Sequence, residues 1–156
     1  MNTNPLMGFL FSILFLVMGR VKFFKESIGR EMVMEDGRKF KVFRHVKIKP
    51  ASKRMGEPEA VFKIRFQPAN MGVEENKRFS VIPMMIILGF KGLRSKFWMV
   101  DEKTGLCQGL YEWQTLEDAK NYSRSIALTF MTKRSVPGTV SFEIIPQGKE
   151  KYWPFR

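Results

Sequence analysis

Residues 93–129 read LRSKFWMVDEKTGLCQGLYEWQTLEDAKNYSRSIALT, and the periodicity changes twice within them. Residues 93–100 and 106–113 are apolar runs of strand length, and the segment between them carries the turn residues Lys103, Thr104 and Gly105, so the two runs pair as an antiparallel hairpin. Thr115 then suits a helix N-cap, with Glu117 and Asp118 in the first turn where the helix dipole favours acids. Leu116, Ala119, Tyr122 and Ile126 recur at helical spacing, which predicts a helix to about Thr129.

Working outward, residues 61–66 place Phe62, Ile64 and Phe66 on one face and Lys63 and Arg65 on the other, a half-buried strand. A loop at 67–72 leads to residues 73–88, whose apolar side includes Phe79, Ile82 and Ile86. Pro83 must kink this helix or begin a second piece, and Gly89 and Gly92 end it. Pro137 and Gly138 turn the chain into a final alternating run at 139–145, with Val140, Phe142 and Ile144 on one side. Residues 59–146 therefore read β-α-β-β-α-β, an α+β ferredoxin-like domain.

The chain has 156 residues and 44% hydrophobic side chains, enough for one domain with a core of its own. One cysteine, Cys107, excludes an internal disulfide and a multi-cysteine zinc site, and one histidine, His45, excludes metal sites built from several imidazoles. No metal site is expected. His45 stands among Lys and Arg and is expected to be a solvated strand residue. The net charge is +12, and residues 20–56 carry 12 Lys and Arg against 4 Asp and Glu, so most of the excess is concentrated there.

That basic collar follows residues 5–19, PLMGFLFSILFLVMG, fifteen positions without a charge. Extended as a helix through Phe24, with Arg20 and Lys22 snorkelling to the headgroups, the segment would reach about 20 residues and cross a bilayer. No basic residue precedes it and no small-residue cleavage site follows it, which argues against a removed signal peptide. Arg20, Lys22, Lys25 and Arg30 lie on its C-terminal side, so the expectation is a single-pass inner-membrane protein with its soluble domain in the cytoplasm. The chain divides into an N-terminal transmembrane helix at 1–24, a basic juxtamembrane segment at 25–58 with a strand at 40–48, the ferredoxin-like domain at 59–146, and a tail at 147–156 containing Trp153 and Phe155. Nucleic acid is not an expected partner, because the strand CQGLYEW at 107–113 lacks the aromatic signature of an RNA-binding sheet.

The segment KFWMVDEKTGLCQGLYEWQTLEDAKNY at 96–122 resembles the YdhR-like monooxygenases of the dimeric α+β barrel superfamily. Lys96, Phe97 and Trp98, then Gly109, Leu110 and Tyr111, then Ala119 and Tyr122 carry the likeness, with support from the run at 62–66, Pro83 and Gly92. The resemblance implies a homodimer whose two four-stranded sheets close into a barrel, with a pocket between sheet and helices. It also implies oxygenase chemistry without metal or flavin, and the apolar N-terminal segment points to a hydrophobic small molecule from the bilayer as the ligand. No cofactor is expected, while haem and flavin are left open; no histidine lies within 59–146 to serve as a haem ligand or general base.

The candidate pocket residues are Phe66, Asn70, Trp98, Tyr111, Trp113 and Tyr122. Aromatics at period two on strands also serve packing, so each has a core alternative. Catalytic residues are not identified by spacing, since Glu112 and Glu143 form no acid/base pair. The second functional expectation is a non-catalytic accessory subunit of a larger membrane complex, docked by its anchor and tail.

Overall fold

The computed structural model describes residues 4–146 and resolves the alternating segments into a seven-stranded antiparallel sheet with helices on one face. In chain order the elements are α1 (Pro5–Val17), β1 (Val21–Phe23), a single 3-10 turn (Lys25–Ser27), β2 (Glu31–Val33), β3 (Lys39–Ile48), β4 (Ala60–Phe66), α2 (Val73–Phe79) and α3 (Val81–Ile87). They continue with β5 (Leu93–Val100), β6 (Cys107–Trp113), α4 (Leu116–Ser123), α5 (Ile126–Lys133) and β7 (Ser141–Pro146). The strand order is β1-β3-β5-β6-β4-β7, with β2 also paired to β3. Strands β4 to β7 with their two helical crossovers form the ferredoxin-like unit, and β3 adds to the exposed edge of β5.

Each expected crossover helix is two short helices. The break at Ser80 puts Pro83 in the first turn of α3, where the missing N–H costs nothing. The second break falls before Ser125, whose hydroxyl accepts from the Leu128 amide at 3.2 Å and so caps a new helix.

The alternation of β3 slips because of a β-bulge between Val42 and Arg44. One inserted residue reverses the faces of the strand. Phe40 and Val42 thus join a cluster with Val61, Phe97, Met99, Leu110 and Ile145 on the face away from the helices. Beyond the bulge, Val46 and Ile48 join Phe62, Ile64, Trp98, Tyr111 and Trp113 under the helices. His45 follows the first set: it is 3% exposed, stacked between Phe24 and Phe97, with Nδ1 2.7 Å from the Ser27 hydroxyl. The expectation of a solvated histidine is therefore corrected. The short segment 24–27 folds over β3 and covers the ring.

The face away from the helices is also buried within the single chain. Met99 is fully buried and Leu110 nearly so, and the sheet curves enough for Asp36, in the β2–β3 turn, to pair with Arg65 on β4. On this face Val61, Phe97, Met99, Leu110 and Ile145 pack with Met34, Phe40 and Val42.

The N-terminal segment differs most from expectation. Asn4 caps α1 by accepting from the Leu6 amide at 2.9 Å, but the helix stops after 13 residues. Gly19 adopts φ 64°, its amide bonds to the Leu16 carbonyl, and the Arg20 amide bonds to the Phe15 carbonyl, the hydrogen-bond pattern of a Schellman cap. The chain then reverses, and Val21, Lys22 and Phe23 pair with Ile48, Lys47 and Val46 of β3. At 1.5 Å per residue α1 is about 20 Å long, shorter than a hydrocarbon core. The 1–24 transmembrane helix is corrected accordingly: among the described residues no helix is long and apolar enough to cross a membrane. One face of α1 instead docks on α3. Ser12 and Gly8 are buried there, and a Cβ on Gly89 would overlap the Gly8 carbonyl. The tail at 147–156 lies outside the described residues.

Candidate functional site

Between the helix-covered face of the sheet and helices α2 to α5 lies a cavity of about 320 Å³. Its walls are largely apolar: Phe43 and Phe66 from the sheet, Phe79, Ile86 and Phe130 from the helices. Pro5 of α1 and the exposed Ile82, Ile126 and Phe130 reach it from the outer side.

Of the residues named from sequence, Phe66, Trp98, Tyr111 and Tyr122 line this cavity together. Trp113 and Asn70 are not among its walls. Trp113 is fully buried deeper in the core and stacks on Tyr122 at 5.2 Å, while Asn70 occupies the left-handed region (φ 55°) in the β4–α2 loop. Gly109 faces the cavity beneath the Tyr111 ring, whose edge a Cβ would strike, so the ring can lie flat on the strand. Tyr122 donates to the Tyr111 hydroxyl at 3.3 Å. Burial raises the Tyr122 phenol to about 12 and pushes Tyr111 well above the usual range, with the adjacent Tyr122 adding to its shift.

Lys96, Arg44, Asn76 and Arg134 lie in or beside the cavity and were not among the candidate pocket residues. Lys96 sits two positions before Trp98 on β5, hence on the same face, and lines the cavity while only 6% exposed. Its Nζ stands 4.0 Å from the centre of the Tyr111 ring and 4.2 Å from that of Trp98. Burial, with the nearby Arg44 guanidinium, holds its pKa well below that of an ordinary lysine. Among the described residues no carboxylate forms an ion pair with it, and none lines the cavity. Arg44 is turned toward the helices by the bulge and donates to the Ser80 hydroxyl at 2.6 Å and the Lys77 carbonyl at 3.1 Å. Asn76 donates to Cys107 Sγ at 3.1 Å, and burial raises that thiol to about 12, too high for a nucleophile at neutral pH. Arg134 closes the far end, stacked on Phe79 at 4.2 Å. A lysine interrupting an apolar strand in phase with a tryptophan was the available signal for Lys96.

The four basic residues named from sequence follow α1. Arg20 stacks on Phe15 at 4.3 Å and donates to the Lys49 carbonyl, Lys22 lies over Phe24 at 4.6 Å, and Lys25 and Arg30 are exposed.

No protein-family model matches the chain, and no curated protein is similar to it in sequence. Solved structures are similar in fold. A ferredoxin-fold protein related to antibiotic biosynthesis monooxygenases, from Listeria monocytogenes, has a TM-score of 0.51 at 16% identity, covering 86% of each chain. A haem-degrading enzyme from Listeria monocytogenes has a TM-score of 0.50 at 14% identity, covering 71% of this chain and 72% of that one. A monooxygenase-like protein from Listeria innocua has a TM-score of 0.48 at 16% identity, and the chain spans 65% of its length. The first two show the fold alone, a ferredoxin-like one. A shared fold does not carry a shared reaction.

The residues present do not fit a histidine-ligated haem. The chain's one histidine, His45, is on the opposite face of the sheet from the cavity, its ring enclosed by Phe24 and Phe97.

Proposed function

We propose that the chain is a monooxygenase-like domain of the YdhR type that binds or oxidises a hydrophobic small molecule, and that it works at a membrane surface. The single observation carrying this reading is the cavity: about 320 Å³, walled mainly by aromatic and aliphatic side chains, with Lys96, Asn76, Gln108 and the tyrosine hydroxyls among its polar members. Such a space favours an apolar guest by roughly 25 cal/mol for each Å² of apolar surface removed from solvent.

The membrane part of the proposal takes a form consistent with the length of α1. Leu6, Leu10, Ile13, Leu14 and Val17 remain exposed on the helix after its Gly8 and Ser12 side has docked, and Ile82, Ile126 and Phe130 are exposed beside the cavity. An apolar surface of this kind lies in the headgroup region of a bilayer rather than across it. Arg20, Lys22, Lys25 and Arg30 follow directly, each worth about 1 kcal/mol of attraction near an anionic leaflet. A guest dissolved in the bilayer would then reach the cavity without crossing water.

Two measurements test the reading. The full chain is floated with phosphatidylglycerol vesicles and with phosphatidylcholine vesicles; we expect flotation with the anionic lipid, lost in Leu10→Asp. A stoichiometric protein partner covering α1 in place of lipid would support the accessory-subunit reading. Mass spectrometry of the purified protein, with oxygen uptake on quinols and other apolar substrates, then examines the cavity. Neither a retained apolar molecule nor any turnover, together with no affinity for added apolar compounds, would refute the proposal.

A further inference from the structure

Among the described residues the fixed charges lining the cavity are the cations Lys96 and Arg134. Tyr111 and Cys107 face it from β6 and Tyr122 from α4, and burial keeps all three protonated and neutral. Arg44 stands behind Trp98 from β3, its Cζ 5.5 Å from that ring, and Arg134 comes from the end of α5. Helices α2 and α3 contribute Asn76 and Ser80 but no acid. Lys96 lies among these groups with two ring faces for neighbours and no counter-ion among the described residues. Lysines are rarely this buried unless they are paired.

We infer that Lys96 is the head-group site of the cavity: it accepts the proton of an acidic O–H on an otherwise apolar ligand and holds the resulting oxyanion as an ion pair. The inference rests on the cavity being a ligand site, as proposed above. The transfer is balanced without a further reactant. The O–H bond of the ligand breaks, an N–H bond forms at Nζ, and the electron pair stays on the oxygen. A ligand that is already ionised in water draws the same proton from solvent instead.

In the free protein burial and Arg44 both penalise the ammonium form of Lys96. When an anion enters, the penalty reverses. The charges neutralise each other in a medium of low polarity, where their attraction is strong, and the faces of Trp98 and Tyr111 add cation–π stabilisation. Tyr111 accepts from Tyr122 and so retains its own hydroxyl proton to donate to the oxyanion. An uncharged ligand of the same shape gains the apolar contacts and none of these. The ligand class is therefore an apolar weak acid, with a carboxylic or a phenolic head.

The test uses two matched pairs on the full chain, decanoic acid against 1-decanol and 1-naphthol against naphthalene, followed by tryptophan fluorescence and calorimetry. We expect the acid of at least one pair to bind about tenfold or more tightly than its uncharged partner, a modest figure for a buried charge pair. Lys96→Met should remove this preference while keeping affinity for the uncharged probe. Calorimetry in buffers of different ionisation enthalpy should show uptake of about one proton per decanoate bound, and no net uptake for 1-naphthol, whose proton merely moves within the complex. Lys96→Arg, whose guanidinium is always charged, should bind decanoate without proton uptake. Which pair shows the preference decides between carboxylic and phenolic ligands. Binding of 1-decanol and naphthalene with no preference for the acids, or a preference that survives in Lys96→Met, overturns this inference alone. Failure of all four probes to bind overturns the cavity reading with it.

Discussion

Acidification from pH 7 to pH 5 should destabilise the protein through His45. Burial between Phe24 and Phe97, with Lys47 and Arg30 adding repulsion, lowers the folded-state pKa of this imidazole from 6.5 to about 4. In the unfolded chain it titrates at about 6.5, so between these values the unfolded state binds more protons and stability rises with pH. The contribution is complete above pH 6.5 and is lost as pH falls toward 4. At about 1.4 kcal/mol per pH unit the whole window amounts to about 3 kcal/mol, and the part between pH 7 and pH 5 to about 2 kcal/mol. For a chain of this size that is a fall in Tm of roughly 4–8 °C. Asp36, held near 2 by its hydrogen bond to Arg65, titrates below this range and does not obscure it. The assay is urea unfolding followed by tryptophan fluorescence at pH 7, 6 and 5, in the native protein and in His45→Phe. The substitution has its own cost, since the Ser27 hydroxyl loses its partner, but it should flatten the pH dependence. Equal stability of the native protein at pH 7 and pH 5, or the same slope in both proteins, would refute the reasoning.

Two further substitutions examine the packing around the cavity. Gly89→Ala puts a methyl group onto the Gly8 carbonyl and should push α1 from α3, costing about 1–3 kcal/mol by overpacking; protease cleavage within residues 5–17 should accelerate, and unchanged cleavage and Tm would show that α1 is not seated there. Thr115→Ala removes the hydroxyl that accepts from the Asp118 amide at 3.0 Å and should cost about 1 kcal/mol, seen as a fall in Tm of roughly 2–4 °C.

Much of the fold was legible because local rules and tertiary contacts agree over residues 93–123. The hairpin turn at 101–105, the Thr115 cap and the period-two faces of β4, β5 and β6 each follow from a few neighbouring side chains, and each is present. Phe66, Trp98 and Tyr111 were accessible in the same way, since alternation assigns them to the sheet face that borders the cavity, and helical spacing puts Tyr122 on the side of α4 that meets it. Trp113 and Asn70 show the limit of that signal: phase along a strand gives the side, and not the depth beneath the helices or the course of a loop.

The sequence by itself determined the β-α-β-β-α-β order, the concentration of positive charge after an apolar segment, and the aromatic side of the sheet, all properties of residues near one another in the chain. The course of residues 4–48 was decided by tertiary contacts alone. Fifteen uncharged positions read as a membrane span as long as helix is assumed to continue, but Gly19 in its left-handed cap turns the chain, and pairing with β3 satisfies the backbone groups that a longer helix would have satisfied internally. The tertiary structure likewise decided that His45 is buried and that Lys96 is enclosed with no acid beside it. Burial and partners are set by segments far apart in sequence, here the 3-10 turn over β3 and the short helices around the cavity, and the phase of Lys96 with Trp98 gives its side of the sheet but neither its depth nor its neighbours.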